Sequence, residues 1–198
     1  MKHLRYLLFL VPVMGCFIAP LPAADFIWTG NGGDNWTNAG SWSPNGVPGN
    51  TDKATINSGS TMVSTAVTVQ QLELNGGTLT VNSNLNVDGV FNWTAGTLNG
   101  SGGTTAIAGA ATLDLPGNGS RNLGSGHRLL NTTNGLIRAD NAVTGQRSIS
   151  GAGLLENHGT ILADTNVILL FSTDLLQRAG VIRGDGEVRF QSGSLEPV

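Results

Sequence analysis

Three aspartates fall at one phase of a short repeat. Asp140 closes GLIRAD, which begins at Gly135; Asp164 closes GTILAD from Gly159; Asp185 closes GVIRGD from Gly180. All three fit G-x-I-x-[AG]-D, at spacings of 24 and 21. If the copies stack, their carboxylates stand one strand spacing apart, about 5 Å. Carboxylates so placed can work as an acid/base pair or gather calcium, and they repel one another unless a cation intervenes. Arg138 and Arg183 hold one common repeat position and can bring that charge from the rim. The plainer reading is turn chemistry, because aspartate often ends a strand by accepting from turn amides. It is preferred here, which leaves Asp140, Asp164 and Asp185 as weak calcium candidates and assigns no catalytic residue.

A second candidate is the stretch WTGNGGDNWTNAGSWSPNGVP (Trp28–Pro48), which holds Trp28, Trp36 and Trp42 among turn formers. Indole rings in such a setting can stack on sugars, with an apolar face and a polar tip. They can equally close the end of a fold, and that reading is placed first, with sugar contact second. Trp93, in FNWTAG, reads as a packing residue. His127 and His158 have no metal-spaced partners, so a zinc site is weakly supported. No serine sits in a G-x-S-x-G elbow, and no glycine-rich piece lies between a strand and a helix as a phosphate loop would. No cofactor is expected.

These residues need elements to position them. Helical periodicity is nearly absent. Apolar residues alternate at Val67 and Val69, Leu72 and Leu74, Leu79 and Val81, Leu85 and Val87, Leu113 and Leu115, and Val188 and Phe190, the pattern of short strands with one buried face. Turn signals rich in Gly and Asn separate them. VILLF (Val167–Phe171) reads as a buried strand rather than a short helix. Periods near 20 residues indicate one stacked supersecondary unit. The fold expected is all-β: a right-handed parallel β-helix with a Trp-rich N-terminal cap over residues 25–53 and coils over 54–198. An antiparallel β-sandwich is the alternative, but it does not place one hexapeptide at one phase. In the helix, Ile137, Ile161 and Ile182 form an interior stack, while Gly135, Gly159 and Gly180 share a corner. At about 21 residues per coil there is room for roughly seven coils. Each open end needs a cap or a neighbour.

Bulk properties narrow the function. Lys2 and Arg5, the apolar LLFLVPVMG and the small residues of PLPAAD make residues 1–24 a secretory signal, with cleavage after Ala24. Cys16, the only cysteine, lies within it; lipoprotein processing there is the lesser expectation. The mature chain would hold 174 residues and no cysteine, so its core works without disulfides. Eight basic residues against thirteen acidic ones would leave it at −5, which argues against a nucleic-acid partner. No membrane span is expected after signal removal. A secreted, extracellular or outer-surface location follows.

WTGNGGDNWTNAGSWSPNGVPGNTDKATI resembles the opening of many bacterial surface proteins of the autotransporter-adhesin and β-helix type. LNGGTLTV, WTAGTLNGSG, ISGAGLLENHGTI and SGSLEP resemble the degenerate repeats of their passenger regions. The polar ladders and flat faces of such a solenoid suit weak multivalent contact with glycans or other cell-surface material, while the resemblance itself implies a secreted or surface β-helical stalk or adhesive module. It implies no particular ligand. β-Helices that degrade polysaccharides use carboxylates from neighbouring coils, which keeps a lyase or hydrolase at the aspartate repeat as an alternative, beside a carbohydrate-binding module at the tryptophans. In that family a segment like SGSLEP runs on into further strands. Here Val198 falls in mid-coil, which favours a fragment over a stand-alone short form and leaves room for an end-to-end or intramolecular β-helix neighbour.

Overall fold

The computed structural model describes residues 23–30, 32–140, 142–191 and 195–197. All of the signal segment except Ala23 and Ala24 lies outside the described residues, Cys16 included. The chain is all-β, with parallel strands stacked into a solenoid of about six turns. Among the described residues the only helical piece is the 3₁₀ turn Ala39–Ser41.

Each turn lays down three strands, so the solenoid has three faces. The first face begins with Asp25–Trp28 and Lys53–Ile56, and continues through the ends of Val67–Leu74 and Asn84–Trp93. Thr112–Asp114, Leu136–Ala139, Thr160–Ala163 and Val181–Arg183 complete it. The second face runs from Asp34–Asn35 through Ser60–Val63, Thr78–Val81, Gly96–Asn99 and Ser120–Leu123. The beginnings of Gly145–Asn157 and Val167–Gln177 and then Glu187–Phe190 carry it on. The third face stacks the beginnings of Val67–Leu74 and Asn84–Trp93 beneath Thr104–Ile107, Arg128–Asn131, the ends of the two long strands, and Leu195–Pro197.

The register is continuous. On the first face Phe26, Ala54, Leu72, Phe91, Leu113, Ile137, Ile161 and Ile182 follow one another inward. The expected Ile137–Ile161–Ile182 stack is therefore the upper part of a column that reaches the first strand. Among the described residues all strand pairings are parallel except Trp42–Ser43 against Asp25–Trp28. That overturns the antiparallel sandwich, whose neighbouring strands would alternate in direction. VILLF is strand, as its run of β-branched and apolar residues suggests.

Gly135, Gly159 and Gly180 do share a corner, immediately before paired strands. The reason differs from the positive φ inferred for turns. A Cβ on Gly159 would lie 2.2 Å from the Gly135 carbonyl oxygen, and one on Gly180 2.2 Å from that of Gly159. Glycine is needed because the backbone of one coil rests on the next. Gly77, at another corner, meets both demands, with φ +70 and the Gly59 oxygen 2.4 Å from a Cβ.

Interior columns change character along the axis. On the third face Val69, Val87 and Ile107 give way to Asn131, Asn157 and Gln177 in the same register. Asn131 Nδ2 donates to Asn157 Oδ1 at 2.7 Å, and Asn157 Nδ2 to Gln177 Oε1 at 3.0 Å. Amides stacked in this way hydrogen-bond from coil to coil.

The two ends differ. At the first, the tryptophan segment folds over the core. At the last, Val188 and Phe190 stack on Leu169 and Phe171, but nothing described covers them and Phe190 is 42% exposed.

Candidate functional site

Trp28, Trp36 and Trp42 are 5%, 0% and 2% exposed. Asp25–Trp28 and Asp34–Asn35 extend two faces of the solenoid, and the chain then turns back so that Trp42–Ser43 pairs antiparallel across the end. This puts Trp42 at the centre of an aromatic plug. Its ring meets Trp36 at 4.7 Å, Trp28 at 5.0 Å and Phe26 at 6.5 Å, all edge to face. The turn is pinned from outside, where Ser41 Oγ donates to Asp34 Oδ2 at 2.8 Å. The indole faces are spent on one another and on the core, so they offer no stacking surface to a sugar. The boundary expected at residue 53 falls inside Lys53–Ile56, and the cap is continuous with the coils. Trp93 is fully buried and stacked on Phe91 at 5.9 Å.

The repeat phase places Asp140, Asp164 and Asp185 at one corner, just past the paired strands of the first face. They are not equivalent. Asp140 Oδ1 accepts from the Ala142 amide at 3.2 Å, the turn contact expected of it. The turn at Asp164 is closed by main chain, Val167 N–H to the Asp164 carbonyl at 3.1 Å. Asp164 and Asp185 line an open cleft of about 520 Å³ with Leu162, Thr165, Arg183 and Gly184. Stacked one per coil, the carboxylates do not form a cage: among the described residues no three His, Cys, Asp or Glu side chains are grouped to hold a metal ion. Arg138 supplies the cation foreseen at this rim. Its Nε donates to Asp114 Oδ1 at 2.8 Å, and this bond, against some burial, raises its pKa together with the charges of Asp114, Asp140 and Asp164.

A second polar group lies on the third face. Glu156 accepts from His158 Nε2 at 2.7 Å and pairs with Arg128 Nε at 2.8 Å and Arg178 Nε at 3.7 Å. Burial pushes the carboxyl pKa up, but the His158 bond and the two guanidinium groups outweigh it, and the net shift is downward.

Two features escaped the sequence reading. Arg121 and Arg147 are fully buried and point inward. Arg121 donates to the carbonyls of Trp93, Pro116, Gly117 and Gly119. Arg147 donates to those of Leu115, Asp140 and Val143 and to Asn118 Oδ1. These cations hold the inward carbonyls of two five-residue corner loops between the first and second faces, 115–119 and 140–144, a use that suits the five-donor guanidinium fork. Burial, with Arg147 nearby, lowers the Arg121 pKa to about 10. His127 is also buried. Its Nε2 lies 3.1 Å from Thr105 Oγ1, and desolvation lowers its pKa to about 4 against an opposing main-chain bond to Val81.

Comparison with protein-family models, with curated proteins and with solved structures returns no match. Among the described residues no helix is long and apolar enough to cross a membrane. What stands is a class: a parallel β-solenoid, closed at one end by tryptophans, with polar ladders on its faces.

Proposed function

We propose that the chain is an exported, non-enzymatic structural or adhesin-like module of the extracellular space or outer cell surface. Its working part is an extended, repetitive surface rather than a pocket. The observation that carries this reading is the unbroken register of three faces over about six turns, which sets outward side chains in rows at steps of about 4.8 Å. Such a surface makes many weak, equal contacts, and avidity multiplies them. Glycans and other cell-surface material are the partners it suits. The burial of all three cap tryptophans supports the sealing role ahead of the sugar-binding module. Likeness to autotransporter-adhesin passengers rests on the sequence motifs.

The test is expression of the full-length chain in a bacterial host, followed by fractionation and a binding screen on immobilised cell-surface material. The exported product is expected to begin at Asp25 and to bind more tightly when clustered than when single. Retention in the cytoplasm with Met1 in place, or equal binding in both forms, overturns the proposal.

The cleft at Asp164, Asp185 and Arg183 supports a second reading as a polysaccharide lyase or hydrolase. Calcium-dependent release of unsaturated uronates, abolished by Asp164→Ala, would establish that activity in place of the non-enzymatic one.

A further inference from the structure

The second face differs from the other two in charge. Its outward residues form one column across six strands: Ser60, Thr78, Thr97, Asn122, Ser150 and Ser172. Beside it stand Met62, Thr80 and Asn99 in one partial column and Ser120 and Ser148 in another. From Ser60 to Ser172 no outward position of these strands carries a charge. The ion pairs Lys53–Glu73 and Arg138–Asp114 lie on the first face. Those of Glu156 with Arg128, His158 and Arg178 lie on or beside the third. The pair Arg189–Glu187 appears only on the last strand of the second face.

Between Ser60 and Ser172 two strands of this face do contain arginine, and in both the guanidinium is turned inward. Arg121 lies between Ser120 and Asn122, and Arg147 between Gln146 and Ser148, each fully buried. Burying a cation is costly unless its donors are satisfied, and here main-chain carbonyls, with Asn118 Oδ1 for Arg147, satisfy them. The outward surface is thereby left neutral at the two places where it would otherwise be positive.

The outward groups are also unspent. Ser150 Oγ donates to the Arg121 carbonyl at 3.2 Å. Among the described residues, the other hydroxyl and amide side chains of the six-strand column make no hydrogen bond to protein. They are held in a row by the sheet, so a ligand need not order them first.

We infer that this neutral hydroxyl- and amide-bearing face is the contact surface, and that its ligand is an uncharged polysaccharide chain. The inference rests on the adhesive reading above and narrows it to one face and one ligand class. Hydroxyl and amide groups donate and accept, as sugar hydroxyls do. Without charge the face gains nothing from uronate, sulfate or phosphate groups, and would leave such anions desolvated without a partner. Its step of about 4.8 Å per strand, of the order of one pyranose residue, lets a linear glycan repeat the same contact from coil to coil. The binding should therefore be insensitive to salt.

The experiment is a pull-down of the full-length chain on an insoluble neutral β-glucan and on an immobilised polygalacturonate, at low and high salt. Two variants accompany the wild type. Thr97→Lys/Asn122→Lys puts charge on the second face, and Thr160→Lys puts it on the first. Melting temperatures are measured for both. The expected result is salt-independent binding to the neutral glucan, weakened about tenfold or more by the double variant and unchanged by Thr160→Lys. Full binding by a folded double variant overturns the inference and leaves the adhesive reading standing. So does binding to polygalacturonate alone, lost at high salt. Failure to bind either polysaccharide or any other cell-surface material overturns both.

Discussion

The indole N–H of Trp42 donates to the main-chain carbonyl of Trp36 at 2.8 Å, while their rings meet edge to face at 4.7 Å. One side chain thus closes the apolar end of the core and satisfies a polar group of the loop that covers it. Trp42→Ala removes both roles and opens a cavity beneath the cap, at an expected cost of about 3–5 kcal/mol. Trp42→Phe keeps most of the plug and should cost much less. Thermal unfolding of the two variants checks the order. Equal, small shifts would mean that the cap does not seal the core.

The corner glycines give a sharper test of the stacking. Gly159→Ala drives a Cβ to 2.2 Å from the Gly135 oxygen, a backbone atom that cannot rotate away. The coils must part locally, so the variant is expected to lose several degrees or more in melting temperature. Gly40→Ala is the control, since its Cβ would meet only Asn38 Oδ1, at 3.6 Å. If Gly159→Ala melts like the control, the close coil contact is not real.

Arg121 holds four main-chain carbonyls inside the fold. Arg121→Met fills similar volume but leaves those acceptors dry, at about 1–3 kcal/mol for each that cannot reach water. A loss of about 3 kcal/mol or more is expected in chemical unfolding. Arg121→Lys should recover only part of it, because an ammonium cannot reproduce the planar fork. Full recovery by lysine would show that charge alone matters.

The sequence made the stacked columns legible because G-x-I-x-[AG]-D recurs at one phase, and parallel register converts phase into contact. It also showed why large aromatics sit among turn residues. The buried polar groups were harder to see. Arg121, His127 and Arg147 read as surface residues by type, yet each lies two positions before an inward apolar residue: Leu123, Leu129 and Ile149. Alternation alone would have turned them inward. Asn131 and Asn157 follow Leu129 and Leu155 in the same way. The aspartate corner was correctly phased, but phase gives the order of residues along an axis and not their convergence. The neutral second face was hidden by uneven coil length. Ala54 to Leu72 spans 18 residues and Leu113 to Ile137 spans 24, so columns such as Ser60–Thr78–Thr97–Asn122 have no fixed period to reveal them.

The last prediction concerns acid. His127 is 1% exposed, with a folded pKa lowered from 6.5 to about 4 by desolvation. Between those values the unfolded chain binds a proton that the folded chain refuses. Stability therefore rises with pH through this window, and falls as pH drops from about 6.5 to about 4. The full shift corresponds to about 3 kcal/mol. Glu156 acts lower on the scale: its depressed pKa contributes stability that is lost only as pH falls below the ordinary carboxylate range. His127→Gln keeps a polar group near Thr105 without titrating, so it separates the two. The wild type should lose melting temperature steadily from neutral pH down to about pH 4, while His127→Gln, less stable at neutral pH, loses much less over the same interval. Parallel curves for the two proteins would show that the ring is protonated in the folded chain as readily as in the unfolded one, and would contradict its burial between Thr105 and Val81.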